Sequence, residues 1–208
     1  MKTATEPKLV AEAIPGYTYG TAEAARSPVS VADLEGLKQS VGFTSRDEEY
    51  LRMAGTVLAD QTKALVDTWR GIISKIPHLA KHSQGPNGGP VPRYSERSGQ
   101  RFQQWILDTC LRPYDQDWLN YQQEIALRHT RLKKNATDGV QSTPYVPLRE
   151  IIAFTAVMNE TIKPFLAAQG HGAEDVEQMH SAWRKSLQLQ IALWAGPYTD
   201  PKAASNQW

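Results

Sequence analysis

YDQDWLNYQQEIALRH, residues 114–129, decides the fold. Trp118, Tyr121, Ile125 and His129 advance through it by three, four and four positions. That is the spacing of one helical face, so the stretch predicts a helix from about Asp115 to Lys133 with its apolar stripe turned inward. His129 falls on the stripe, away from the polar side of the helix.

The neighbouring segments repeat the pattern. RFQQWILDT (101–109) places Phe102, Trp105, Ile106 and Thr109 on one face. Pro113 predicts an end near Arg112, because proline disfavours helical geometry in the residue before it. SQGPNGGPVP (83–92) is dense in glycine and proline and predicts a loop. Before that loop, Tyr50, Leu51, Ala54, Val57, Leu58, Leu65 and Trp69 recur at helical spacing and predict one continuous helix starting at Thr44 or Ser45. Ser30 followed by Asp33 is a capping signal for a leading helix carrying Leu34, Leu37 and Val41. Residues 1–29 hold Pro7, Pro15, Pro28, Gly16 and Gly20 with little periodicity, and predict an irregular N-terminal arm. On the other side, Pro147 and Gly170 bound a helix over about Leu148–Ala168, and Pro197 ends a last helix over about Ala173–Ala195. No segment alternates like a strand. The expectation is an all-α domain over 30–198 with a tail over 199–208.

With 208 residues and 40% hydrophobic content the chain can close one substantial core. Its 23 basic and 22 acidic residues leave a net charge of +1, so no long-range field favours nucleic acid or an anionic membrane. The single cysteine, Cys110, excludes an intrachain disulfide and the zinc patterns that need paired thiols, and suits a reducing compartment. No secretory leader or membrane-spanning run is evident, so the chain is expected to be soluble and cytoplasmic. Arg128, Arg131, Lys133 and Lys134 form a basic run that reads as a solvated helix end.

Of the five histidines, His78, His82 and His171 fall in or beside loops and are expected to be solvated, and His180 on the last helix is expected to be a structural or interface residue rather than a second iron ligand. His129 alone lies on an apolar helix face. By position it is either a hydrogen-bonded core residue, the commoner case, or a metal ligand. The aromatic residues between Trp69 and Phe154 have the same two readings: a packed core, or the walls around a wide, flat cofactor such as haem, which needs apolar surroundings and one axial donor.

The motifs IPGYTYG (14–20), DEEYLRMAG (47–55), VLADQ (57–61), DTWRG (67–71), RFQQWILDT (101–109), YDQDWLNYQQEIALRH (114–129), KPFLA (163–167) and LQLQIALWAGPY (187–198) run in order along nearly the whole chain. Together they resemble the protoglobins, the single-domain members of the globin-coupled sensor lineage. The resemblance implies an enlarged globin fold, a three-over-three helical sandwich preceded by an N-terminal arm and an extra leading helix. It implies haem b (iron protoporphyrin IX) between the Phe102 and His129 helices, with His129 as the iron ligand. Trp69, Phe102 and Phe154 match positions that wall the distal pocket or its access tunnels, and Arg101 and Tyr121 match positions suited to contacting the haem or its propionates. It also implies a homodimer through the last two helices, where Leu187, Leu189, Ile191, Leu193 and Trp194 suggest apolar surface in excess of one buried face.

At one position the sequence leaves the family pattern. A tyrosine is expected after the tryptophan of DTW, and here the residue is Arg70. Turned inward, Arg70 offers donors to a polar ligand; turned to solvent, it leaves the pocket apolar. The functional expectation is binding of a small diatomic gas, dioxygen, carbon monoxide or nitric oxide, at haem. The alternative is a haem enzyme acting on peroxide, nitric oxide or nitrite, ranked second because no distal histidine or carboxylate is evident as an acid–base partner.

Overall fold

Ser30 Oγ accepts the Asp33 amide at 3.2 Å while the Asp33 carboxylate accepts the Ser30 amide at 3.0 Å, and this reciprocal box starts helix α1 (Val31–Ser40). Thr44 repeats the device: its amide donates to Asp47 Oδ2 at 2.7 Å at the start of α2 (Ser45–Leu58). The chain continues as α3 (Thr62–Ser74), a single-turn α4 (Pro77–Ala80), α5 (Pro92–Leu111), α6 (Gln116–His129), α7 (Leu148–Leu166) and α8 (Ala173–Ala195). The computed structural model describes residues 14–200, so the first thirteen residues of the expected arm and the last eight of the expected tail lie outside the described residues. Among the described residues there is no strand, and no helix is long and apolar enough to cross a membrane.

Two element boundaries differ from expectation. The helix predicted from Thr44 or Ser45 through Trp69 is two helices, because the chain turns at residues 59–61. The Val57 carbonyl left open by that turn accepts Gln61 Nε2 at 2.7 Å, and the Gln61 amide caps Leu58 O at 2.9 Å. A glutamine side chain thus replaces the helical hydrogen bond with neither glycine nor proline to mark the place. The helix predicted to Lys133 ends at His129: Thr130 is extended and its hydroxyl donates back to Leu127 O at 2.8 Å. Elsewhere the signals hold. Arg112, before Pro113, is extended and stops α5, and Asp115 caps α6 by accepting the Trp118 amide at 3.0 Å.

The helices form two crossed layers, α2, α5 and α6 against α3, α7 and α8. Helix α8 lies at the centre, against α2, α6 and α7, and its Leu187, Leu189, Ile191, Leu193 and Trp194 are all buried within the one chain. The surplus apolar surface expected on α8 is therefore internal core. Residues 14–29 carry no helix and are seated across α5 and α6. The Tyr17 hydroxyl donates to Asp108 at 2.7 Å, the Ala25 amide to Glu124 at 3.0 Å and the Ser27 amide to Asn120 at 2.9 Å.

Candidate functional site

Between α5 and α6, floored by α7 and α8, lies a cavity of about 640 Å³. Its size and largely apolar walls suit a small molecule or cofactor of substantial size. His129 borders it from the last turn of α6. His129 Nδ1 bonds the Ile125 carbonyl at 2.9 Å. A carbonyl only accepts, so Nδ1 carries the proton and Nε2 keeps its lone pair. Among the described residues Nε2 has no hydrogen-bond partner. The Trp194 ring stacks on the imidazole at 5.9 Å between centroids, which fixes the ring plane, and burial holds the imidazole pKa below its ordinary value.

Of the other residues expected at a site, Arg70, Arg101, Phe102, Tyr121 and Phe154 all line this cavity, and Trp69 does not. Trp69 is fully buried one layer behind, 5.1 Å from the Phe102 ring, with its indole N–H donating to Thr161 Oγ1 at 2.8 Å. Tyr121 meets Tyr17 and Tyr19 of the N-terminal segment edge-on at 5.1 and 5.5 Å. Arg101 carries an ion pair to Asp138, at 2.6 and 3.1 Å, and donates to the Pro15 carbonyl at 2.7 Å. A Cβ on Gly16 would lie 2.9 Å from the Arg101 guanidinium, so glycine, at φ +75°, lets the arm close over it. Arg101 thereby ties the arm to α5, and its charge is already balanced by Asp138.

Arg70 also turns inward. Its guanidinium donates to Ser95 O at 2.5 Å and to Ser98 Oγ at 2.8 Å, and it lies over Gly99, where a Cβ would meet it at 3.3 Å. Burial lowers its pKa, and among the described residues it has no carboxylate within ion-pair distance.

Three wall residues depart from expectation. His82 is buried rather than solvated: Nε2 donates to Glu150 Oε2 at 2.7 Å, Nδ1 pairs with the Thr143 hydroxyl at 2.7 Å, and burial lowers its pKa. Glu150 borders the cavity beside it, so an imidazole–carboxylate pair is present after all. Lys134, expected at a solvated helix end, is 2% exposed and also borders the cavity. Its Nζ donates to His82 O at 3.0 Å and lies 5.4 Å from the Tyr94 ring, and burial brings its pKa down to about 8. Arg128 of the same run is bonded to Glu124 at 3.0 Å and to Thr18. Nothing in the one-dimensional pattern marks these burials, which arise where the turns after α4 and α6 fold over each other. His180 is structural as expected, with Nε2 bonded to Asn159 O at 2.7 Å.

The Protoglobin family model matches residues 30–203. Among solved structures, the globin domain of the Geobacter sulfurreducens globin-coupled sensor is similar, with a TM-score of 0.59 at 15% identity. The match covers 80% of this chain and 97% of that one, and it shows that the two layers of helices are a globin fold, here enlarged by α1 and the N-terminal segment. No curated protein matches the chain.

Proposed function

The chain belongs to the protoglobin family of haem-binding globins, and from that premise we propose that it binds haem b in the α5–α6 cavity, where His129 would hold the iron, and that it takes up dioxygen, carbon monoxide or nitric oxide there. One observation carries the reading: a neutral imidazole on a cavity wall, its Nδ1–H tied to Ile125 O and its Nε2 lone pair left for a metal.

Haem iron, when bound, supplies a coordination position for a diatomic ligand. The protein's part is to hold the imidazole in one tautomer and one plane, through Ile125 and Trp194. Phe102 and Phe154 give apolar wall that keeps water out. Arg70, braced on Ser95 and Ser98, keeps cationic N–H groups at the cavity for the polar end of a ligand. The seated arm, tied to α5 through Arg101 and Tyr17, braces that wall from behind. Carbon monoxide titration of the reduced, haem-loaded protein tests the proposal. A saturable Soret shift with photolysable, rebinding ligand is expected; a spectrum unmoved by carbon monoxide, dioxygen and nitric oxide contradicts it.

A second reading, turnover of peroxide, nitric oxide or nitrite, draws support from the His82–Glu150 pair on the same wall, an arrangement suited to moving protons. Under that reading Glu150→Gln lowers steady-state peroxide turnover by about a hundredfold. Background rates equal in parent and variant rule it out.

The protein is further proposed to pair as a homodimer through the last two helices. The support is Ile152 of α7, 47% exposed on the outer face, and sedimentation equilibrium tests it. The single, buried thiol of Cys110 accords with the cytoplasm, the location proposed for it.

A further inference from the structure

We propose that Lys134 is the counter-charge for a carboxylate of the molecule that fills the α5–α6 cavity; with haem b as that molecule, it receives a propionate. The proposal rests on the haem reading above and deepens it.

A lysine with 2% exposure keeps almost none of its ammonium's hydration, and such burial is costly unless an anion answers it. Among the described residues the Lys134 ammonium has one hydrogen bond, to the His82 carbonyl, and the face of Tyr94. Among the described residues no carboxylate lies within ion-pair distance of it. The two carboxylates on the cavity wall are engaged elsewhere, Asp138 by Arg101 at 2.6 Å and Glu150 by His82 at 2.7 Å. Burial weakens the Lys134 ammonium but leaves it largely protonated at neutral pH.

The cavity wall therefore carries a buried cation whose remaining N–H groups lack an anion, beside a space that suits a dianionic macrocycle. Arg101, which with Tyr121 matches family positions suited to contacting the haem or its propionates, has its charge already met by Asp138. Lys134 is free to take the part, and a carboxylate from the cavity would complete both its hydrogen bonding and its charge balance.

Lys134→Met tests this, since methionine keeps a similar length without the charge. The His82 carbonyl stays satisfied by Ser142 Oγ at 3.0 Å, so the substitution opens no new unpaired group there. Transfer of haemin to a scavenging apoglobin is followed for parent and variant, with haemin and with its dimethyl ester, whose propionates are uncharged. Loss of a charge-assisted hydrogen bond should speed haemin release by about tenfold or more and cut the preference for haemin over the ester by the same factor. The thermal midpoint of the haem-free variant should rise, because an uncompensated buried charge has been removed. A structural lysine would lower that midpoint and leave the ester preference alone. Lys134→Gln supplies the same comparison if the methionine variant does not fold. Unchanged haemin release together with an unchanged ester preference overturns the Lys134 assignment alone. A parent protein that takes up no haemin overturns the haem reading with it.

Discussion

Two of the Arg70 N–H groups are fixed on α5, by Ser95 and Ser98, and the guanidinium at the cavity has no carboxylate partner among the described residues. If its free N–H groups reach the bound ligand, Arg70→Leu should speed dioxygen dissociation by about tenfold, the value of one hydrogen bond to a charged group. Carbon monoxide, with a less polar bound form, should change less. Stopped-flow displacement measures both, and equal rates in parent and variant mean that the guanidinium serves only to brace α5. The direction of Arg70 was not legible in the sequence, because arginine reaches either way and the choice depends on Gly99 leaving room for it. His129 was legible, since helical spacing alone puts it on the apolar stripe. His82 and Lys134 were not: both sit in turns whose polarity reads as solvated, and only the packing of one turn on another buries them.

Element boundaries follow the same division. Capping at Ser30 and Asp115 and termination at Pro113 and Pro197 act within a few residues, so the start of α1 and α6 and the end of α5 and α8 could be read directly. The break between α2 and α3 could not, because it depends in part on Gln61 reaching Phe165 O of α7 at 3.1 Å, a contact between residues far apart in the chain. The crossing of α2 on α5 is equally a tertiary matter. A Cβ at Gly55 would fall 2.5 Å from Leu111 Cδ2 and 2.9 Å from Cys110 Cβ. The leucine tip can move, but the Cys110 Cβ moves only with its backbone. Gly55→Ala should therefore destabilise the protein by about 1–3 kcal/mol through forced separation of the two helices. Urea denaturation of the two proteins gives the figure, and a midpoint equal to the parent's contradicts so close a crossing.

At the scale of the whole molecule, buried charge sets the response to pH. Burial alone would raise the carboxyls of Asp47 and Glu124, but hydrogen bonds from Lys185 and Thr44 to the first, and from Lys133 and Arg128 to the second, bring both below their ordinary values. A depressed carboxyl stabilises the fold above its unfolded value and loses that contribution as pH falls through the folded one, so stability should drop below about pH 4.5. His82, lowered by burial, adds to the loss from about pH 6.5 downward, because the unfolded chain takes up its proton more readily. Lys134 works at the alkaline end. Its folded value of about 8 lies below the ordinary 10.5, so the haem-free fold gains stability as pH rises between those values. Chemical denaturation across that window should show the gain in the parent and its absence in Lys134→Met; parallel curves contradict it. The central claim is that His129 holds haem iron through Nε2, and the most direct measurement is the absorption spectrum of the reduced, haem-loaded protein beside that of His129→Ala. The parent should give the five-coordinate histidine spectrum, and the variant should lose it and regain it on addition of imidazole. A five-coordinate histidine spectrum in His129→Ala without imidazole would contradict the account.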